Sequence, residues 1–451
     1  MMRRTLASVA AATGGRLAGP ADTAVTGVSF DSRHLMPGAL FVALPGARVD
    51  GHDFLAEAAA RGAAAALVSR PVETALPCVI VADTLAALGR LATGERAAAP
   101  WRLVAVTGSV AKTTTKDMLA TLLATTFPTA ATHGNRNSEI GFPAEICNLP
   151  GSPEWMVAEL GMSHAGELDR LGAIAAPDAL VYTVVAPVHL EFFPSLDAIA
   201  AAKAELIPHL RRDGLLVLNR ADARMAAFAG HFAGRTVGYG LAGESDVWIA
   251  EYSSRGLQGS TFTLQGSGHD ISIELPLAGT HQAANLLAAA TAALALGVPA
   301  PAIAPAAARL EAPPHRGVVS RLAGGAVLFD DSYNASPLAM ARVLELLAET
   351  PGRRVAVLGE MLELGATAAA LHREIGEAAG AAADIVIAVG GEAAAELARA
   401  AGPSACHVAD AATALNRVSA LLRPGDTVLV KGSRGIALDG VVDGLLAGGL
   451  A

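Results

Sequence analysis

The 451-residue chain is poor in cysteine, lacks a long unbroken apolar run and carries no excess of positive charge. Each shortage removes a class of protein. Cys78, Cys147 and Cys406 are odd in number, far apart and without metal-ligand spacing, so they read as buried thiols in a reducing compartment, not as a disulfide framework. Although 52% of the residues are apolar, the surplus is mostly alanine spread along the chain, the composition of a soluble globular protein. The stretch Ala283–Val298 is too short for a convincing membrane span and holds Asn285. At the start, "MMRRTLASVAAATGGRLAG" imitates a signal peptide, but Gly14, Gly15 and Arg16 break its apolar run and no clean cleavage site follows. A capped amphipathic helix is expected there instead. The formal charge of −9 gives no general attraction to nucleic acid or anionic lipid, while leaving room for a local basic pocket. The expectations are a cytoplasmic protein with no nucleic-acid partner and no membrane insertion.

What is present is a long alternation of strands and helices, enough for about three domains of ordinary size. Residues 1–97 hold short β-type runs, "ALFVAL" and "CVIVAD", with a helix expected over "HDFLAEAAARGAAAALV" between them. A connector, "GERAAAPW", leads into "RLVAVTGS". Over 98–312, "EWMVAEL", "ALVYTVV" and "GLLVLN" alternate with helical segments, which predicts a parallel sheet covered on both faces. After a helix at "HQAANLLAAATAALALG" comes a proline-rich break, "VPAPAIAPAAARLEAPPHRG". Over 313–451, "AVLFDDS", "RRVAVLG", "DIVIAVG" and "DTVLVKG" predict a second, Rossmann-like sheet. The fold class is α/β, with no short-period repeat.

The segment "VTGSVAKTTTK" carries the clearest chemistry. A strand ending in a small-residue turn sets backbone N–H groups and a helix N-terminus against an anion, here over Gly108, Ser109, Val110, Ala111, Lys112, Thr113 and Thr114. Lys112 suits β- and γ-phosphate charge, and the Thr113 hydroxyl suits Mg²⁺. Ala111 stands where the usual pattern has glycine, and its methyl costs about 1 to 2 kcal/mol if the residue must be left-handed. The bland alternative is a strand-to-helix turn without a ligand.

Downstream, "THGNRNSEIGFP", "AELGMSHAGEL" and "APVHLEFFPSLDAIAAAKAEL" set polar groups in apolar surroundings. Glu159 ends one apolar strand and His189 follows another, positions that project into the cleft at the carboxyl edge of a parallel sheet. Taken singly, His189 reads as a structural histidine and Lys203 as a solvated helical lysine.

Together and in this order, these segments resemble the Mur ligases, ATP-dependent amide-forming enzymes of peptidoglycan precursor synthesis, through nearly the whole chain. "VSFDSRHLMPGALFVALPGARVDGHDF" resembles the nucleotide-sugar domain shared by the third and fourth ligases of that pathway. "LFDDSYNASPLAM", "VLGEMLELG" and "VKGSRG" resemble the branch that adds D-alanyl-D-alanine to UDP-N-acetylmuramoyl-tripeptide, and the "DNPR" of the tripeptide-forming branch is missing. The resemblance implies a UDP-sugar-binding N-terminal domain, a central P-loop mononucleotide-binding domain and a C-terminal Rossmann-like domain, with ATP and Mg²⁺ as cofactors and a monomer expected.

By the same resemblance, Lys112 and Thr113 hold the triphosphate and one Mg²⁺, and Glu159, His189 and a carbamylated Lys203 ligate metal. Asn285 contacts adenine, Arg316 reaches the phosphates, and Asp331, Tyr333 and Asn334 complete the nucleotide site. Ser29, Asp31, Ser32, Arg33, Gly51 and His52 match the uridine-diphosphate pocket, and Asn135 and Asn137 the muramoyl-peptide side. The implied reaction activates the peptide carboxylate as an acyl phosphate, which the dipeptide amine then attacks. Because the set is split between two domains, closure is expected to assemble it. Rival readings are a sister amide ligase, including a folylpolyglutamate type that the "DSR" region disfavours, and a nucleotide-sugar binder without turnover, which only Ala111 favours.

Overall fold

The structure, a computed structural model, describes residues 1–46, 49–240 and 242–448. The N-terminal helix Leu6–Thr13 is capped at both ends: Thr5 accepts the Ser8 N–H, and Gly14 closes it at φ 67°. A five-stranded sheet follows in the order Arg16–Ala18, Cys78–Ile80, Ala65–Val68, Leu40–Val42, Val28–Ser29, parallel except for the first pair. The single helix expected over "HDFLAEAAARGAAAALV" divides. A 3₁₀ turn at Gly51–Phe54 and a helix at Leu55–Ala60 end before Gly62, and Ala65–Val68 is a strand buried throughout. A strand buried on both faces shows no alternation, so its pattern matches that of a buried helix.

The expected connector "GERAAAPW" is also different, since Gly94–Ala98 complete the helix Thr84–Ala98. That helix lies on the central unit, where Leu88 and Leu91 share one core with Phe142, Leu168 and Leu171. Arg96 pins the joint. Its guanidinium donates to the carbonyls of Ala175 at 2.8 Å, Trp101 at 3.1 Å and Ala176 at 3.2 Å, and to Asp178 at 2.8 Å. Asp178 also accepts the Leu103 N–H at 2.8 Å, at the start of the first central strand.

The central sheet has nine strands, ordered His269–Leu275, Ser260–Gly266, Val247–Ser254, Arg235–Gly240, Leu215–Asn219, Ala179–Tyr182, Arg102–Thr107, Trp155–Glu159, Thr129–Ala131. Seven are joined by parallel pairings, and the last two in chain order, Ser260–Gly266 and His269–Leu275, are added through antiparallel pairings. This is a departure from the purely parallel expectation. The strand His269–Leu275 alternates buried and open residues, as an antiparallel strand with one wet face does. Arg102–Thr107, the first strand of this sheet in chain order, sits between two later ones, so the connections leave it in opposite directions and open a crevice at its carboxyl end. The proline-rich break also holds structure. Ala300–Ala307 is a helix that takes Pro301 in its first turn, where an N–H is not needed, and tolerates Pro305 inside.

The C-terminal sheet runs Val318–Arg321, Val327–Asp330, Thr427–Lys431, Arg354–Gly359, Ile385–Val389, Ala405–Val408, parallel after the first hairpin. This matches the Rossmann-like alternation read from its apolar runs. Gly359 and Gly432 meet where two neighbouring strands end, and a Cβ on Gly432 would stand 2.9 Å from the Gly359 Cα.

Two outcomes are expected for stability. Arg96→Ala should lower the unfolding free energy by about 3 kcal/mol or more, since Asp178 loses the nearer of its two arginines and three carbonyls lose donors; a denaturation midpoint equal to the parent's would show that the joint does not depend on it. Ala111 has φ 69° and ψ −2°, the left-handed conformation. Ala111→Gly should therefore raise the thermal midpoint, with about 1 kcal/mol of relief; an unchanged or lower midpoint would mean no strain is held there.

Candidate functional site

Between the carboxyl edge of the central sheet and the C-terminal unit lies a cleft of about 1030 Å³. It gathers Ser109–Thr114, Asn135, Asn137, Glu159, His189, Asn285, Arg316, Asp331, Tyr333 and Asn334, contributed by segments far apart in sequence. Gly108 lies directly beneath its loop. A Cβ on Gly108 would stand 1.8 Å from Thr183 Oγ1, so only glycine fits there. The loop is fastened on that side: Ser109 N–H donates to Val184 O at 2.7 Å, and Thr183 Oγ1 donates to Val110 O at 2.7 Å.

The helix Lys112–Leu123 begins without a side-chain cap. Among the described residues, the backbone N–H groups of Val110 through Thr114 meet no acceptor, and they sit at the positive end of a 12-residue helix. That is the chemistry of an anion site. Lys112 Nζ donates to Gly108 O at 3.0 Å and Ser109 O at 3.2 Å, which leaves one of its three protons for a ligand. Burial pulls the Lys112 ammonium below the ordinary lysine range, opposed by Glu159 and reinforced by the nearby Arg316.

Glu159 is buried at the end of its strand. One carboxylate oxygen accepts from Thr113 Oγ1 at 2.6 Å and the other from Asn137 Nδ2 at 2.6 Å. Asn137 is thus occupied by Glu159 rather than turned wholly to a peptide. His189 follows the next strand with its Nδ1 on Glu363; burial lowers its imidazole below the ordinary range while Glu363 raises it. Lys203 is buried in the helix Leu196–Ala204 and is not part of the cleft wall. Burial, with Lys112 adding repulsion, drives its amine well below the usual lysine range, and no carboxylate among the described residues offsets it.

These donors suit magnesium. Among the described residues, no group of three or more His, Cys, Asp or Glu could form an all-protein cage. One hydroxyl, one carboxylate and one imidazole fit an ion that keeps waters and takes its other oxygens from phosphate.

Across the cleft, the Arg316 guanidinium stacks 3.8 Å above the Tyr333 ring. Lys431 Nζ binds the Asp331 carboxylate at 2.5 Å and donates to Asn334 O at 3.0 Å, holding that turn in place. Asn285 Nδ2 donates to Gln282 Oε1 at 3.2 Å on the helix Thr280–Ala295. In the first turn of that helix, His281 lines the cleft, and its buried Nδ1, packed beside Gly279, has no hydrogen-bond partner among the described residues.

Lys431, His281 and Glu363 were missed by sequence reasoning. For Lys431 a signal existed: the chain has 33 basic Lys and Arg residues, yet its lysines are only Lys112, Lys116, Lys203 and Lys431. All but the half-buried Lys112 are buried. Arginine covers the surface, and the compact ammonium is kept for the interior. Lys116 serves there too, donating to Thr132 O at 2.6 Å, while Thr132 Oγ1 accepts the Glu159 N–H at 3.1 Å.

Ser29, Asp31, Ser32, Arg33, Gly51 and His52 are not brought to this cleft; they cluster in the N-terminal unit. Arg33 grips Asp31 through two bonds of 2.9 and 2.8 Å, which holds the carboxyl well below the usual range. Ser29 Oγ donates to Asp31 O at 2.9 Å, and Ser32 Oγ to Glu57 at 3.0 Å. His52 is buried with both ring nitrogens engaged, Nδ1 by Asp50 at 2.6 Å and Nε2 by the Ser69 N–H at 3.0 Å. Gly51 passes so near Leu44 that a Cβ would stand 2.6 Å from its nitrogen. These last two residues shape the turn.

Comparison with known proteins agrees with this geometry. Family profiles described as "Mur ligase family, catalytic domain", "Mur ligase middle domain" and "Mur ligase, glutamate ligase domain" match residues 24–107, 106–293 and 315–434. The UDP-N-acetylmuramoyl-tripeptide–D-alanyl-D-alanine ligase of Escherichia coli (strain K12) is 38% identical, over 100% of this chain and 100% of its own. The ligase of the same name from Bacillus subtilis (strain 168) is 33% identical over 99% of each chain. A crystal structure of MurF from Acinetobacter baumannii superposes with a TM-score of 0.90 at 30% identity, covering 99% of both chains. MurF ligase from Thermotoga maritima in complex with ADP gives 0.82 at 28% identity, over 93% of this chain and 97% of that one. From the phosphate loop to the C-terminal sheet, the chain belongs to the Mur ligase family.

Proposed function

We propose that this protein is the ATP-dependent ligase that joins D-alanyl-D-alanine to UDP-N-acetylmuramoyl-tripeptide, forming the pentapeptide, ADP and phosphate. The observation that carries the reading is the meeting of Lys112, Thr113 and Glu159 with Arg316 and Tyr333 across one cleft, in a chain matched end to end by ligases of that name. Both halves of the cleft come from one chain, which supports action as a monomer. No helix among the described residues is long and apolar enough to cross a membrane. We assign the reaction to the cytoplasm and the domains to 1–97, 98–312 and 313–451.

A carboxylate is a poor electrophile, so the peptide's terminal carboxylate must first be activated by phosphoryl transfer. In this role the N–H groups of Val110–Thr114 receive phosphate oxygens, and Lys112 and Arg316 neutralise charge as it shifts during transfer. Thr113, Glu159 and His189, with Lys203 as its carbamate, hold Mg²⁺. When bound, that ion supplies charge neutralisation at the phosphoryl oxygens. Asn285 and His281 face the base, and Asp331 and Asn334, tied by Lys431, close the nucleotide side. Asn135 and Asn137 border the peptide, and Ser29, Asp31, Ser32 and Arg33, shaped by Gly51 and His52, receive the uridine diphosphate. The walls of a cleft shared by two domains keep water from the activated acyl group.

The neutral Lys203 amine is the form that adds to CO₂, losing one proton to give an anionic carbamate. With ¹³C-bicarbonate the wild-type enzyme should show a carbamate carbon resonance that Lys203→Ala lacks, and this variant should lose activity by about 100-fold; full activity in the variant would remove Lys203 from the site.

Purified protein supplied with MgATP, the tripeptide nucleotide and D-alanyl-D-alanine should release phosphate only when all are present. The nucleotide product should gain the mass of one dipeptide less water. Phosphate release satisfied by a different amine donor, with none for D-alanyl-D-alanine, would overturn the assignment.

A further inference from the structure

His189 and Glu363 come from different sheets. His189 lies beyond the central strand Ala179–Tyr182, and Glu363 in the turn after the C-terminal strand Arg354–Gly359. Their side chains meet, His189 Nδ1 to Glu363 Oε2 at 2.5 Å. The same segments also bond through the main chain, Glu191 N–H to Glu363 O at 3.1 Å. They approach so closely at Gly365 that a Cβ there would stand 3.1 Å from the Glu191 Cα.

Both partners have left-handed backbone, φ 56° at His189 and 62° at Glu363. Non-glycine residues hold such a conformation only where surrounding contacts impose it. The Glu363 turn is in turn fixed to its own domain: Leu362 N–H donates to Ser433 Oγ at 3.0 Å, and Met361 N–H to His372 Nε2 at 2.8 Å. The backbone that carries the Glu363 carboxylate is therefore tied to the C-terminal domain.

A carboxylate on Nδ1 sets the ring plane and leaves Nε2 as the coordinating nitrogen, an arrangement that strengthens metal binding by histidine. We infer that Glu363 is a positioning residue for the metal site: carried by the C-terminal domain, it aims His189 at the magnesium, so that docking of that domain completes the site. This rests on the metal ligands proposed above. It joins domain closure to the metal through one side chain that does not itself touch the ion.

The test is binding of Mn²⁺, as a spin probe for the magnesium site, to the full-length ADP-bound protein, read by electron paramagnetic resonance without peptide substrates. Glu363→Ala should weaken Mn²⁺ by about tenfold. Glu363→Gln, whose amide oxygen still accepts from Nδ1–H, should recover most of the loss. The double variant His189→Ala/Glu363→Ala should bind no more weakly than His189→Ala alone, because the second residue acts only through the first. Wild-type affinity in Glu363→Ala, or losses that multiply in the double variant, would overturn the inference. Unchanged affinity in His189→Ala would remove the metal assignment and the inference with it. Because no peptide or dipeptide is present, a wrong substrate assignment leaves this measurement untouched, and the two failures are distinguishable.

Discussion

The cleft depends on Gly108 having no side chain. Its contact with Thr183 brings the exits of two neighbouring strands together, leaving no space for a methyl. From that contact the rest follows in a chain. Thr183 Oγ1 and Val184 O fasten the loop, Ser109 Oγ donates onward to Ala186 O at 3.2 Å, and the uncapped helix Lys112–Leu123 then starts at the crevice. The Thr183 carbonyl is itself held by Asn219 at 2.9 Å and by the Tyr239 hydroxyl at 3.0 Å. Beyond Ala186 the same segment reaches His189, which meets the C-terminal domain. A single steric condition thus relates the phosphate cradle to the interdomain contact.

Charge follows a different logic inside the cleft than on the surface. The chain is acidic overall, yet Lys112 and Arg316 gather near one another, with Glu159 as the carboxylate that opposes them at Lys112. Desolvation weakens the Lys112 ammonium, and repulsion from Arg316 adds to it. Such a group of cations is unfavourable alone and favourable around a polyanion, so the electrostatics that disfavour the free site are those that select a triphosphate. Keeping lysine for these interior positions, with arginine elsewhere, matches the need for a compact donor among backbone carbonyls.

Much of this could be read in advance where chemistry and order along the chain coincide. The phosphate loop, Glu159 at a strand end, Asn285 in a helical turn and Arg316 after a proline-rich segment all lie in or on the cleft. Where local pattern was ambiguous, the reading failed in physically intelligible ways. Ala65–Val68 looked helical because both faces are buried, the chain at Gly94–Ala98 looked like a linker because alanine and charge suit either state, and the antiparallel strands were overlooked beside a parallel majority. His52, matched by resemblance to the uridine-diphosphate pocket, has its two ring nitrogens engaged by Asp50 and Ser69 of its own domain.

The sequence by itself determined the α/β class, the apolar strands, the phosphate loop with its unusual Ala111, and the set of reactive side chains, because each is written in contiguous residues or in their order. Only the tertiary structure decided which of those side chains share one space. The pairing of His189 with Glu363, of Asp331 with Lys431 and of Thr113 with Glu159 joins residues 174, 100 and 46 positions apart. No local period encodes such distances; they are set by strand order at the switch point and by how closely two sheets pack, and those depend on every buried contact between them.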